Sequence, residues 1–255
     1  MTCIEDKCER NGLCTNSGFT LAEVLITLGI IGVVAALTIP TLMQNLDRRD
    51  RVSKVKAAYS QLSQAMKMAE VQYGTMDKWF GVTNQDVFSN AEEYTKYGLA
   101  ATDWVGFKYI LDEFKTVKVC PHTNGCFPGG EENPTQQIKG RYLNGDEVSI
   151  TRGNNTITVI LANGMSMRIY NDNRQCNNND RCASVFFDVM GSKKSQHIIC
   201  KDSFEFNLHP NAVKARSKTE DGVPTGDGAE VDGRFSCTAY IIRHDNMDYL
   251  DDYGL

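Results

Sequence analysis

Histidine is scarce in this chain, four in 255 residues, and His122, His197, His209 and His244 are dispersed. None sits in a His-Glu-x-x-His, Gly-x-Ser-x-Gly or phosphate-loop setting. No hydrolytic or phosphoryl-transfer centre is legible, so no enzyme is expected. Positive charge is not in excess either. The formal net charge is -5, and an acidic chain is poorly suited to bulk binding of phosphate backbones, so nucleic acid is not the expected partner. There is no internal repeat and no low-complexity segment, and 41% hydrophobic with 23% charged residues is ordinary globular composition. A solenoid and a disordered chain are both excluded. One absence is local: from Val24 to Met43 no side chain is charged. At about 1.5 Å of rise per residue, a run of about 20 apolar residues crosses the ~30 Å hydrocarbon core of a bilayer.

Glu23 sits in the first turn of that span, where an ionised carboxylate costs roughly 2.5–3.5 kcal/mol unless partnered. The run continues to Leu46 and is far longer than the apolar core of a cleaved secretory signal, with no small-residue cleavage site after it. An ordinary signal anchor with a chance Glu at its edge is the bland alternative. A polar, charged leader ending at Gly18, then Phe19-Thr20-Leu21-Ala22-Glu23 and the uninterrupted apolar run, resembles the class III signal of type IV prepilins and type II secretion pseudopilins.

The resemblance covers about a tenth of the chain and has specific implications. A membrane-embedded prepilin peptidase would cut between Gly18 and Phe19 and methylate Phe19. Glu23 would neutralise the N-terminal amine of a neighbouring subunit. Two opposite charges in a low-dielectric core attract strongly while either alone is penalised, so a shared pair favours one stacking register. Pro40 cannot donate to the helix ladder and disfavours helix at Ile39; family members commonly carry a proline there, and a kink or melted turn is expected. Gly29, Gly32, Ala35 and Ala36 let helices approach closely.

One feature departs from the family pattern. The leader carries Glu5, Asp6 and Glu9 against Lys7 and Arg10, whereas the basic cluster Arg48, Arg49, Arg51, Lys54 and Lys56 follows the span. The positive-inside rule applied to these charges opposes the topology the cleavage motif implies. The motif is taken to decide, and the cluster is read as a solvated helix face or a contact with lipid headgroups.

Beyond Asp47 the pattern turns amphipathic. Val52, Val55, Tyr59, Leu62, Met66, Ala69 and Tyr73 fall on one helical face, with Arg51, Lys54, Lys56, Gln61, Lys67 and Glu70 largely off it, and Gly74 as the stop. Two further helical stretches are read near 90–97 and over 103–114, the latter with Trp104, Phe107, Ile110, Leu111 and Phe114 at core spacing. Strands are read over 156–161 and 165–170, joined at Ala162-Asn163-Gly164, because Asn-Gly between two β-rich runs is a hairpin signal. Others are read at 184–189 and 203–208, and 238–249 is a last helix or strand. The expected fold is α+β: a long N-terminal helix on an antiparallel, disulfide-closed head. The expected segments are a leader over 1–18, a membrane or filament-core helix over 19–46, an amphipathic helix over 47–74 and a head over 75–255.

Cys3, Cys8 and Cys14 fall in the leader; Cys120, Cys126, Cys176, Cys182, Cys200 and Cys237 lie beyond the span, where oxidation is expected. Sequence alone cannot choose among their pairings. The matched spacing of Cys120 with Cys126 and of Cys176 with Cys182 favours two local bridges, leaving Cys200 with Cys237. A zinc site using His122 in the 120–126 loop lacks a second ligand pair. No cofactor is expected. The loop over 220–233 places Asp221, Asp227, Glu230 and Asp232 among glycines, as an oxygen-ligated calcium site would need. It does not match the EF-hand spacing, and a plain solvated loop is the preferred reading.

The implied protein is a pilin or pseudopilin of a type IV pilus or type II secretion filament. It would be single-pass in the inner membrane with its head outside the cytoplasm, then part of a pilus or periplasmic pseudopilus. Its partners would be the prepilin peptidase, like subunits, the inner-membrane assembly platform and the assembly ATPase. A minor pilin of a DNA-uptake filament would need a basic head patch, for which Lys193, Lys194, Lys214, Arg216 and Lys218 are the candidates. An anchored extracytoplasmic enzyme or binding protein is the alternative from another class.

Overall fold

A computed structural model describes residues 18–79, 101–121, 126, 139–149, 156–171, 176, 181–191, 197–217 and 236–255. The 90–97 stretch, the side chain of Trp104, His122, Lys193, Lys194, Lys218 and the 220–233 loop lie outside the described residues or side chains. The chain divides into two compact units, one ending at Asp47 and the other running from Arg48 to Leu255.

Helix α1 spans Leu21–Tyr73 and is unbroken through Pro40, which corrects the expected melted turn there. The first unit carries fifteen exposed large apolar side chains from Phe19 to Leu46, fourteen of them on α1; the least exposed, Val24, is still 42% exposed. At roughly 2 kcal/mol per side chain left in water, this surface is on the order of 30 kcal/mol short of its preferred environment. It is the one helix among the described residues long and apolar enough to cross a membrane. Two of its hydroxyls are satisfied locally, Thr27 donating to the carbonyl of Val24 and Thr38 to that of Val34, both at 3.0 Å. Neither interrupts the apolar surface.

The second unit is a six-stranded antiparallel sheet with α1 residues packed on it. Its strands are β1 (Thr116–Pro121), β4 (Thr156–Leu161), β5 (Ser166–Asn171), β6 (Ala183–Asp188), β7 (Ser203–His209) and β8 (Ala212–Ala215), in the order β1-β4-β5-β6-β7-β8. Strands β2 (Lys139–Arg141) and β3 (Glu147–Ser149) form a separate hairpin. The period-two alternation of side chains puts two apolar rows on one face. Val119, Val159, Met167, Phe187 and Phe204 are cross-strand partners in one, and Ile157, Ile169, Val185 and Phe206 in the other. Tyr59 of α1 stacks on Phe206 at 5.8 Å between ring centroids. Between those rows, on the opposite face, run Thr158, Arg168, Phe186 and Glu205. There the Arg168 guanidinium lies 4.1 Å from the centroid of the Phe186 ring.

The turn between β4 and β5 is the Asn-Gly turn read from sequence. Gly164 has φ +85°, and the Asn163 side-chain oxygen accepts from the Met165 amide at 3.1 Å. Helix α2 (Ala101–Leu111) adds Phe107, Ile110 and Leu111 to the core, and Phe114 follows against Phe187. The C-terminal stretch resolves as helix α3 (Cys237–His244) and a 3-10 turn over Asp248–Tyr253. Disulfides join Cys120 to Cys126, Cys176 to Cys182 and Cys200 to Cys237.

The structure corrects one feature of the helix. Arg51, read as lying off the apolar face, is 7% exposed and opens the buried stripe that continues through Val55, Ala58, Leu62, Ala65 and Ala69. Steps of four, three, four, three and four from residue 51 reach each of those positions. A charge had been assigned to solvent because its partner is distant in sequence.

Candidate functional site: the N-terminal helix and its attachment to the head

The helix begins with a reciprocal cap. Thr20 precedes the first helical residue, and its amide and hydroxyl both donate to Glu23 Oε2 at 2.8 Å. In return the Glu23 amide donates to Thr20 Oγ1 at 3.2 Å. This is a Thr-x-x-Glu capping box, which satisfies donors that a helix start otherwise leaves unpaired. The same carboxylate that sequence reasoning singled out for its burial cost therefore has a local partner. The spacing of Thr20 and Glu23 was a signal for it. Phe19, just ahead, is 89% exposed. A Cβ built on Gly18 would meet no atom of the described residues within 4 Å.

Within the second unit, the basic cluster after the span is engaged with the head. Arg48 donates to the backbone carbonyl of Leu255 at 2.5 Å and pairs with Asp251 at 2.8 Å. Arg51 Nη1 donates to the carbonyl of Lys201 at 3.0 Å and forms a buried ion pair with Asp202. Lys56 pairs with Asp245, the residue that caps α3, and Lys54 pairs along the helix with Asp50 at 2.7 Å. Three of the five cations thus hold α1 to the turn before β7 and to the C-terminal segment. The reading of the cluster as a merely solvated face is corrected for Arg48, Arg51 and Lys56; Arg49 remains exposed.

The turn that receives Arg51 is tightly wired. Asp202 accepts from the Ile198 amide at 3.2 Å through Oδ2, and its own amide donates to the Ile198 carbonyl at 2.7 Å. Tyr249 donates its hydroxyl to the carbonyl of Cys200 at 2.7 Å. Burial pushes the Tyr249 phenol well above its ordinary range, with Tyr240 adding to the effect and Arg51 and Arg48 opposing it. His197, in the same turn, is pushed down by burial, and Asp202 pulls partly against that.

Elsewhere the described residues offer little chemistry. A cleft of about 300 Å³ between α1 and the β4–β5 turn is lined by Gln61, Gln64, Met68, Phe114, Lys115 and Asn163 among others. No three histidine, cysteine, aspartate or glutamate side chains converge as a metal site among the described residues. The bridge between Cys120 and Cys126 takes both thiols out of a zinc site. Asp221, Asp227, Glu230 and Asp232 lie outside the described residues. Of the candidate basic patch, Arg216 lies 3.8 Å from the Glu205 carboxylate, which Arg181 also approaches at 3.9 Å.

Sequence reasoning missed β1, the β2–β3 hairpin and β8. Signals existed for two of them: Thr116-Val117-Lys118-Val119 alternates, and Asn144-Gly145 marks the β2–β3 turn, where Gly145 has φ +89°. The bond of the Arg141 amide to the His197 carbonyl at 2.9 Å, which ties that hairpin to the Arg51-binding turn, had no sequence signal.

Comparison with known proteins agrees with the N-terminal geometry. Residues 14–39 match the model of the prokaryotic N-terminal methylation motif. The type II secretion system core protein G of Dickeya chrysanthemi is 37% identical over 67 residues, 25% of this chain and 43% of that protein. The core protein G of Escherichia coli (strain K12) is 36% identical over 84 residues, 33% of this chain and 54% of that protein. The chain spans about half the length of the curated relatives it matches. No solved structure matches. Behind a methylation motif and a helix similar to those of secretion pseudopilins, a family model covers residues 41–254, and the chain belongs to that family, described as a family of unknown function (DUF6613).

Proposed function

We propose that this chain is a structural subunit of a type IV pilus or type II secretion filament, cut after Gly18, N-methylated at Phe19 and polymerised through α1. The observation that carries this reading is the apolar, uncovered first half of α1 starting at a Thr20–Glu23 cap directly behind Gly18-Phe19. A surface of that size needs either a bilayer or neighbouring helices, and a subunit that passes from one to the other uses both. In the membrane the chain is single-pass in the inner membrane, with the disulfide-bearing head on the oxidising side. The prepilin peptidase, the assembly platform and the assembly ATPase are its partners. Pro40 leaves one backbone acceptor of the helix without its usual donor, making residues near it the point where α1 yields during assembly.

In the filament, Glu23 exchanges its local cap for the methylated amine of a neighbouring Phe19. Glu23→Gln tests this cleanly, because glutamine keeps an acceptor for the Thr20 donors and so keeps the capping box. Processing should survive, with mass spectrometry finding N-methylated Phe19 at the terminus. Removing one partner of a buried ion pair costs about 3–5 kcal/mol, a loss of two orders of magnitude or more in incorporation. Processed E23Q protein should accumulate in the membrane and be missing from sheared filaments. Wild-type protein retaining Met1, or E23Q entering filaments as well as wild type, refutes the reading.

A further inference from the structure

The Cys200–Cys237 bridge joins the two segments of the head that grip α1. On one side, Cys200 lies in the turn whose next two residues bind Arg51: Lys201 through its carbonyl at 3.0 Å and Asp202 through its carboxylate. On the other, Cys237 opens α3, whose capping residue Asp245 pairs with Lys56. The backbone path between these segments passes through β7, β8 and residues 218–235, so the bridge is the short covalent link between the two grips.

Cys200 has φ +70° and His197 φ +58°. Both are left-handed conformations that non-glycine residues adopt only when their surroundings hold them there. At Cys200 the holding groups are the bridge, the Ser203 carbonyl accepting its amide at 3.0 Å and the Tyr249 hydroxyl donating to its carbonyl at 2.7 Å. Asp202, 1% exposed, is two residues further on and is bonded to Ile198 of the same turn through both its carboxylate and its amide. The other two bridges each close a six-residue separation, and among the described residues neither joins segments that pair with the α1 cations.

We propose that the Cys200–Cys237 bridge is a redox latch for α1: its reduction releases the Arg51 clasp, so that the second half of the helix docks fully on the sheet only where this pair is oxidised. In the opening step a dithiol donates two electrons. The Cys200–Cys237 S–S bond breaks to give two protein thiols, and the reductant leaves as its own disulfide. Closing is the reverse, with a disulfide-class oxidant taking both electrons and both protons. The latch rests on the geometry of the head alone, so it stands or falls separately from the filament reading.

The test is limited trypsin digestion of the full chain in detergent, with and without dithiothreitol, followed by mass spectrometry. Cleavage after Arg51 reports the clasp, and cleavage after Arg168, 4% exposed in the sheet, reports global unfolding. For Cys200→Ser with Cys237→Ser, cleavage after Arg51 should rise at least tenfold while Arg168 stays protected. Cys120→Ser with Cys126→Ser should change it less than twofold. Asp202→Asn with the bridge intact should expose Arg51 as much as reduction does, and dithiothreitol should then add little. Unchanged cleavage after Arg51 on loss of the 200–237 bridge overturns the proposal. So does parallel exposure of Arg168, an equal effect from the 120–126 variant, or an Asp202→Asn effect that simply adds to reduction.

Discussion

Replacing Arg51 by methionine removes the guanidinium but keeps most of the apolar stem, so lost packing contributes little. What remains is Asp202, 1% exposed, which keeps its Ile198 amide donor and loses the Arg51 guanidinium. Breaking a buried pair from one side costs about 3–5 kcal/mol; the surviving amide bond puts Arg51→Met near the lower end, about 3 kcal/mol. The double replacement Arg51→Met with Asp202→Asn removes both charges while keeping an acceptor for the Ile198 amide, and should return to within about 1 kcal/mol of wild type. By contrast, Lys54→Met breaks an exposed pair on the helix surface and should cost about 0.5 kcal/mol or less. Urea unfolding of the full chain in detergent can be followed by tryptophan fluorescence, to which Trp79, fully buried in the head, contributes alongside Trp104. With a urea dependence of about 2 kcal/mol/M, Arg51→Met should lower the midpoint by about 1.5 M at unchanged slope. A loss below about 1 kcal/mol for the single replacement, or a double variant no better than it, would show that Arg51 does not staple the helix to the head.

Gly191→Ala should be severe: at φ +72° a Cβ would lie 2.1 Å from the backbone oxygen of Gly164, and left-handed strain with overpacking together cost about 3 kcal/mol or more. Gly145→Ala, also left-handed but with nothing within 4 Å, should cost about 1 kcal/mol in the same urea assay. His197 is pushed down by burial, so the unfolded chain takes up a proton below about pH 6.5 before the fold does. Its contribution is present above that pH and is lost as pH falls toward the folded value. His197→Asn, which tolerates the positive φ, should therefore show a flatter thermal-stability profile between about pH 7 and pH 5 than wild type; an identical slope would refute the assignment. Thr20→Val removes one half of the capping box, and about 1 kcal/mol of lost cap should speed hydrogen exchange at the Glu23 amide roughly fivefold.

Some elements needed nothing beyond their own residues. The apolar run from Val24 to Met43 is helical because a chain without charge over that length must satisfy its backbone internally wherever it leaves water. The β4–β5 hairpin follows from Asn163-Gly164, since few residues other than glycine occupy φ +85° without strain. The alternation in β6 and β7 likewise states which side chains share a face. These are local effects, legible within a window of a few residues.

The attachment of α1 to the head was decided only by tertiary structure. Arg51 lies at the right helical positions for burial with Val55, Ala58 and Leu62, yet its charge argued for solvent until Asp202, 151 residues away, was folded against it. The same holds for β2 and β3, three residues each, too short for a pattern to stand out and ordered by the bond from Arg141 to the His197 turn. Sequence shows which groups carry a burial cost; only the folded chain shows which distant group offsets it, because an ion pair depends on distances in space and leaves no periodicity along the chain.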